Sequence, residues 1–363
     1  MSELLSLLKL PDGAESAPEV LERLVRHAQR AGASDIHLQM RADHAEVAFR
    51  LDGVLTSPWL LPAAIAERVC GRIKFLANLK TYQDSLPQEG RIEKSALQIV
   101  VDLRVATYPT VTGEKVVLRL FGSGGVKSLV DLQLPTDVFA VLSRWLTRAA
   151  GLLLLTGPAG SGKTTTIYAC VQYLASTGGR HVITVEDPVE QIIPGIMQTE
   201  INEPRGLDFA RATRHLLRQD PQVLIIGEIR DEETARIALR ASLTGHMVIS
   251  TLHAGSCHGV LERLDSFCAD LPAMASSLDL ILNQRLIRRG CQECSGGGCE
   301  ACLMSGYRGR MPLVELLMLD AAAREFIRKR EFLQIPVIPT LEQRARGLVE
   351  GHLTTAAEVR RVM

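Results

Sequence analysis

Along the first third of the chain the apolar residues change period several times, and each change marks a new element. Val20, Leu21, Leu24, Val25 and Ala28 recur at helical intervals. Ser16 stands three residues before Glu19, a capping-box spacing, and Gly32 stops the pattern, so a helix is predicted between them. In AEVAFRLDGVL, Asp52-Gly53 lies between apolar flanks and predicts a tight hairpin. Residues 63–78 read as a second helix. Leu97, Ile99, Val101, Leu103 and Val105 then alternate with Gln98, Val100, Asp102 and Arg104, the period-two signature of a strand with one face buried. A partner strand over 114–120 buries Val116, Leu118 and Leu120 and turns Arg119 the other way. Arg104 and Arg119 therefore project from the non-core faces of neighbouring strands. Two guanidinium groups there repel unless each has an anionic partner, and ordinary surface pairing with Asp102 or Glu114 is one way to supply it.

The stretch FGSGGVKSL, 121–129, is small, glycine-rich and flexible in composition, and places a domain boundary. Beyond it, short apolar runs at 152–155, 182–185, 223–226 and 247–249 alternate with helical segments. Such runs, apolar on both faces, mark the parallel sheet of an α/β domain. The expected division is a tail over 1–15, a first domain over 16–121, a linker over 122–130 and a second domain over 131–363.

Composition narrows the class. With 46% hydrophobic and 23% charged residues the chain has the material for a real core, which excludes a disordered protein. Lys plus Arg equals Asp plus Glu at 41 each, so bulk charge does not hold it to nucleic acid or anionic lipid. No apolar run approaches the roughly 20 residues of a membrane-spanning helix. Glu3 and the lack of a basic flank argue against a secretory signal, so a soluble cytosolic protein is the default expectation.

The chemistry begins at Gly157-Pro158-Ala159-Gly160-Ser161-Gly162-Lys163-Thr164, which fits G-x-x-x-x-G-K-[ST] between an apolar run and a helix-competent stretch. Its glycines let backbone N–H groups wrap a polyphosphate, and the helix N-terminus adds its positive dipole end. Lys163 can place a cation between the β- and γ-phosphates, the Thr164 hydroxyl can ligate Mg²⁺, and Thr165 stands beside it. Downstream, HVITVEDPVE runs into Glu186, Asp187 and Glu190, and QVLIIGEIRD ends in Glu228. Carboxylates at the carboxyl ends of parallel strands sit where α/β sheets bind ligands, where one can act on the attacking water and another reach Mg²⁺. His246 and His253 flank the apolar run 247–251; a histidine beside a γ-phosphate can sense it by hydrogen bonding. Cys291-x-x-Cys294 and Cys299-x-x-Cys302, separated by Ser-Gly-Gly-Gly, read as a closed four-thiolate zinc site of structural type in a module over about 288–305, with reduced thiols or a redox pair as the alternatives.

Read together, SDIH (34–37), FRLDGVL (49–55), the loop at 157–166, ITVEDPVE (183–190), RQDPQVLIIGEIRD (218–231), TGHMVISTLH (244–253), the paired C-x-x-C and GYRGRMPLVELL (306–317) resemble the hexameric traffic ATPases of type II secretion and type IV pilus assembly. The resemblance implies an α/β protein. A small α+β PAS-like N-terminal domain would be followed by a RecA-like P-loop ATPase domain carrying a four-cysteine zinc module. It implies a hexameric ring that hydrolyses ATP with Mg²⁺, binds Zn²⁺, and works at the inner face of the cytoplasmic membrane against a membrane platform protein, with no nucleic acid. By position it implies that Glu186 and Glu190 belong to an aspartate box with Glu190 catalytic. Glu228 matches the Walker B acid, and His246 with His253 a histidine box. Arg104 and Arg119 match the two arginines that meet the nucleotide phosphates, which favours that role over surface pairing. The cysteines match the secretion and pilus-extension branch. The chain departs from the pattern in beginning almost at the PAS-like domain, without an extra docking domain, and in the closeness of its cysteine pairs. A retraction motor of the same superfamily is the first alternative and a RecA-like nucleic-acid translocase the second.

Overall fold

The computed structural model describes residues 16–97, 99, 102–120 and 126–363. The expected tail at 1–15, positions 98, 100 and 101 of the expected strand, and residues 122–125 of the expected linker lie outside these. The chain forms two compact units, residues 1–125 with 288–309, and residues 126–287 with 310–363. Residues 288–309, which carry the four clustered cysteines, thus group with the first unit.

The first unit is built on one sheet. Helix α1 (Ala17–Arg30) opens it, and the Ser16 N–H donates to Glu19 Oε2 at 3.0 Å, as the capping spacing predicts. Strands β1 (Asp35–Met40), β2 (His44–Leu51), β3 (Val54–Leu55) and β4 (Trp59–Pro62) follow. Asp52 and Gly53 both take positive φ, 49° and 85°, and Leu51 pairs with Val54 across the two-residue turn. Helix α2 spans Ala63–Leu76, and β5 spans Gln88–Ile92. Strands β6 (Leu103–Thr110) and β7 (Gly113–Leu120) complete an antiparallel sheet of order β3-β2-β1-β7-β6-β5, with β4 also paired to β2. The apolar faces of α1 and α2 close one side: Leu21, Leu24, Val25, Ile65, Val69 and Ile73 pack with Ile36, Leu38, Phe49, Leu103 and Leu118 in a single core.

One expectation is corrected here. The strand read over 97–105 starts only at Leu103, and residues 94–97 form a single helical turn, α3 (Lys94–Leu97). Leu97 and Ile99 are nonetheless buried. Leu97 ends the helical turn and Ile99 lies beyond it, so two buried positions two residues apart need not belong to one strand.

In the second unit the all-apolar runs become strands buried end to end. They are β8 (Gly151–Thr156), β9 (Val182–Glu186), β11 (Val223–Ile226) and β12 (Met247–Thr251); the partly exposed β10 (Met197–Glu200), β13 (Leu278–Gly290) and β14 (Tyr307–Met318) complete the sheet, in the order β10-β9-β11-β12-β8-β13-β14. The pairs β10/β9, β9/β11, β11/β12, β12/β8 and β8/β13 are parallel. Two apolar clusters, one on Leu152, Leu154, Leu224 and Ile226 and one on Leu153, Leu155, Val223 and Ile225, lie on opposite faces. This is why the runs read as continuous and not alternating. Helices α4 (Thr136–Leu146) and α5 (Lys163–Thr177) contribute to the second cluster, and α6 (Phe209–Leu216), α7 (Glu232–Leu243) and α8 (Cys257–Cys268) to the first. Among the described residues no helix is long and apolar enough to cross a membrane.

Candidate functional site

Residues 157–162 leave the carboxyl end of β8 and turn into α5. Gly157, Gly160 and Gly162 all take positive φ, at 134°, 73° and 88°. A Cβ on Gly157 would lie 2.2 Å from the Gln284 carbonyl oxygen, so this glycine is required by approach as well as by conformation. The Lys163 ammonium lies across the loop and donates to the carbonyls of Gly157 and Pro158 at 2.8 and 3.0 Å. Burial pushes its pKa below the ordinary lysine value, against the opposing pull of the Glu228 carboxylate. Thr164 and Thr165 are exposed at the first turn of α5.

This loop forms one wall of a cleft of about 260 Å³ at the carboxyl ends of β9, β11 and β12. Lys163, Thr164, Glu186, Glu190, Glu228 and His253 all line it. The sheet therefore collects residues from several separate motifs at one edge, where open parallel sheets bind ligands.

The three glutamates differ sharply. Glu186 is buried at the end of β9 and accepts hydrogen bonds from the Tyr168 hydroxyl, the Thr184 hydroxyl and, at 3.0 Å, Gln198 Nε2. The Tyr168 oxygen in turn accepts from the backbone N–H groups of Glu190 and Gln191 at 3.1 and 3.3 Å. Burial, and then the hydrogen bond to Glu186, push the Tyr168 phenol up, so it stays a donor. Glu186 is thus a bracket that fixes the loop carrying Glu190, while the Glu190 side chain is exposed on the cleft wall. Glu228 joins a chain of polar contacts: Arg230 Nε contacts it at 3.1 Å and His253 Nε2 at 3.2 Å, and Arg230 also reaches Asp187 at 3.3 Å. The Arg230 guanidinium lies over the Phe209 ring at 5.5 Å.

His246 is not brought to this cleft. It stands at the opposite end of β12, with Nδ1 2.9 Å from the Ala241 carbonyl and 3.2 Å from Thr244 Oγ1. The strand between the two histidines is about 16 Å long. The two histidines flank one strand, as the sequence says, but flanking places them at opposite edges of the sheet.

In the first unit Arg104 and Arg119 are direct cross-strand partners, as their placement on β6 and β7 predicts. For Arg119 the ion partner suggested by sequence is corrected. Asp102 pairs with Arg91 and caps the Lys94 N–H at 2.7 Å, while Glu114 pairs with the buried Lys74 at 2.7 Å. Arg119 Nε instead donates to Asp35 Oδ1 at 3.0 Å. Asp35 is almost fully buried; its burial opposes ionisation, but hydrogen bonds from Ser34 and Arg119 outweigh it and hold the carboxyl below its ordinary pKa.

The four cysteines do meet. The Sγ atoms of Cys291, Cys294, Cys299 and Cys302 all lie within 4.8 Å of one another. Cys291–Cys299 and Cys294–Cys302 are 3.8 Å apart and Cys299–Cys302 3.7 Å. A tetrahedral ion with bonds of about 2.3 Å to sulfur requires edges of about 3.8 Å, so the donor set fits a metal of that geometry. The N–H groups of Gly298 and Cys299 point at Cys294 Sγ and Cys302 Sγ, each at 3.2 Å, and supply the outer support such thiolates use. The short glycine spacer is what closes the knuckle: Gly296 and Gly298 take φ of 88° and 89°, and a Cβ on Gly306 would strike the Gly296 carbonyl at 2.5 Å.

Sequence reasoning missed Tyr168, Arg230 and Gln284. Tyr168 and Arg230 sit inside motifs whose other members carry the recognisable pattern. Gln284 leaves a clear trace, a polar Asn-Gln pair interrupting the apolar strand β13.

Comparison with known proteins places this arrangement. The family model described as type II/IV secretion system protein matches residues 11–361. The chain is 40% identical over 306 residues to the protein transport protein HofB homolog of Haemophilus influenzae, spanning 84% of this chain and 66% of that protein. It is 37% identical to the type IV pilus assembly ATPase PilB of Thermus thermophilus, spanning 90% of this chain but 39% of that one. The chain thus spans less than two thirds of the length of these two relatives. With the type II secretion system protein HxcR of Pseudomonas aeruginosa the identity is 38%, over 99% of this chain and 80% of that one. A crystal structure of the pilus retraction motor PilT with bound ADP superposes with a TM-score of 0.64 at 27% identity, covering 94% of this chain and 96% of PilT. The Legionella pneumophila ATPase DotB shares the fold, with a TM-score of 0.70 at 21% identity over 97% of each chain. The match across almost the whole chain, with the motifs converging on one cleft of an α/β fold, shows that this chain belongs to the type II/IV secretion system protein family.

Proposed function

We propose that the chain is an ATP-hydrolysing motor subunit that powers pseudopilus or pilus assembly in a type II secretion or type IV pilus machine. The observation that carries this reading is the convergence of Lys163, Thr164, Glu190 and Glu228 on one cleft. Backbone N–H groups within 159–164 bind the β- and γ-phosphates of ATP, and Lys163 exchanges its two loop carbonyls for phosphate oxygens. Thr164 and Glu228 would hold Mg²⁺, which would supply charge neutralisation to the phosphates. Glu190, fixed through the Tyr168–Glu186 bracket, orients the attacking water and accepts its proton. His253, in contact with Glu228, reports the phosphate state; His246 has its role away from the cleft.

The first unit is read as PAS-like, an antiparallel sheet with two helices on one face, and Arg104 and Arg119 are its proposed phosphate ligands. Cys291, Cys294, Cys299 and Cys302 are the proposed ligands of Zn²⁺, which would cross-link residues 288–309 as a closed structural site. The working assembly is proposed to be a hexamer, peripheral at the inner face of the cytoplasmic membrane through a platform protein. PilT, similar in fold, is a retraction motor, so retraction is the second reading.

The test has two arms. Purified full chain should hydrolyse ATP only with Mg²⁺, and Lys163→Ala should abolish it; no Mg²⁺-dependent turnover rejects the motor. Deleting the gene and scoring secreted protein and surface pili separates the readings: loss of either supports assembly, whereas an excess of surface pili supports retraction.

A further inference from the structure

Gln284 lies on β13, is 2% exposed, and uses both ends of its amide behind the phosphate loop. The Thr166 hydroxyl, itself buried in α5, donates to Gln284 Oε1 at 2.9 Å. A carbonyl only accepts, so the amide end that meets the Ser161 carbonyl must be the N–H end, which leaves Oε1 to the Thr166 hydroxyl. Nε2 thus faces the loop, where it donates to the Ser161 carbonyl at 2.8 Å.

Peptide geometry passes this constraint to the loop. The Ser161–Gly162 bond is trans, and in a trans peptide the carbonyl and the following N–H point in opposite directions. Pinning the Ser161 carbonyl back against Gln284 turns the Gly162 N–H away from the strand, toward the hollow of the loop. Gly162 makes room for this arrangement: a Cβ there would come within 2.8 Å of Gln284 Nε2, and its φ of 88° is one that side chains rarely adopt.

We infer that Gln284, held by Thr166, is a positioning residue that sets the Ser161–Gly162 peptide so that its N–H meets a nucleotide phosphate. The inference rests on the nucleotide-binding reading above. It makes the affinity of the loop depend on a side chain that itself touches no nucleotide.

The test measures Mg²⁺-ATP binding, the KM and kcat of hydrolysis, and the melting temperature without nucleotide, all on the full chain. Glu at 284 is nearly isosteric but presents oxygen, not N–H, to the Ser161 carbonyl. Gln284→Glu should raise the Kd and KM for ATP about tenfold or more, as expected for a lost hydrogen bond to a charged group, with a smaller change in kcat. Thr166→Val should raise them several-fold and Thr166→Ser should restore them, since serine keeps the hydroxyl. If Gln284→Glu does not fold, the Thr166 pair decides alone. Unchanged nucleotide affinity in the folded variants, or equal loss in Thr166→Val and Thr166→Ser, overturns the inference. Failure of the unaltered chain to bind Mg²⁺-ATP overturns the nucleotide reading itself.

Discussion

Two glycine-rich loops carry the chemistry, and they are held in opposite ways. The phosphate loop at 157–162 is braced from behind by a neighbouring strand: Gln284 grips its Ser161 carbonyl and Lys163 crosses its front. The cysteine knuckle at 291–302 has four thiols at its centre, within 4.8 Å of one another, and glycines at the turns. The first is preorganised by the protein. The second places like donors together, an arrangement that thiolates tolerate only around a cation. Similar local sequence, rich in Gly and Ser, thus forms one loop braced by a neighbouring strand and one whose centre is a four-sulfur set that fits a tetrahedral ion.

The two loops should separate most clearly on metal removal. Chelation, or Cys294→Ser, should expose the amides of residues 288–309 to rapid hydrogen exchange and leave ATP affinity intact. Protection that survives chelation would mean that the knuckle stands without an ion. Gly162→Ala should do the converse. A left-handed Cβ costs about 1–2 kcal/mol and here also strikes Gln284, so nucleotide binding should fail while knuckle exchange is unchanged. Next, Tyr168→Phe strips Glu186 of one donor and leaves the N–H groups of Glu190 and Gln191 without the phenol oxygen. A loss of about 1–3 kcal/mol in stability is expected, with a lower kcat, by denaturant unfolding and steady-state assay.

The smallest effect concerns pH. Burial first, then neighbouring cations, hold His37 below its ordinary value of 6.5. Its folded form therefore favours the neutral ring. The stability this brings is complete above about pH 6.5 and is lost as pH falls through the lower folded value. Melting of the chain should drop by a few degrees between about pH 7 and 5, and His37→Gln should flatten that slope.

How far the sequence could be read divides along the same lines. The parallel strands were visible because they are apolar on both faces, and the hairpin at Asp52-Gly53 because only a turn with two positive φ values fits there. The members of the cleft were visible because each follows an apolar run. Partners were less legible. Glu114 is near Arg119 in sequence, yet it pairs with Lys74, and Asp35, 84 residues away, reaches Arg119. Which end of a strand a histidine occupies matters as much as which strand, and this separates His253 from His246. Gln284 acts through a peptide plane, which no motif spells out.

Glu190 is the proposed base for the attacking water in the cleft. The decisive experiment is single-turnover hydrolysis and ATP binding by Glu190→Gln, beside the unaltered chain. Binding should be unimpaired and hydrolysis slowed at least about a hundredfold, within the range that general-base loss produces. Hydrolysis by the variant at the unaltered rate would take the role away from Glu190 and leave the cleft without its base.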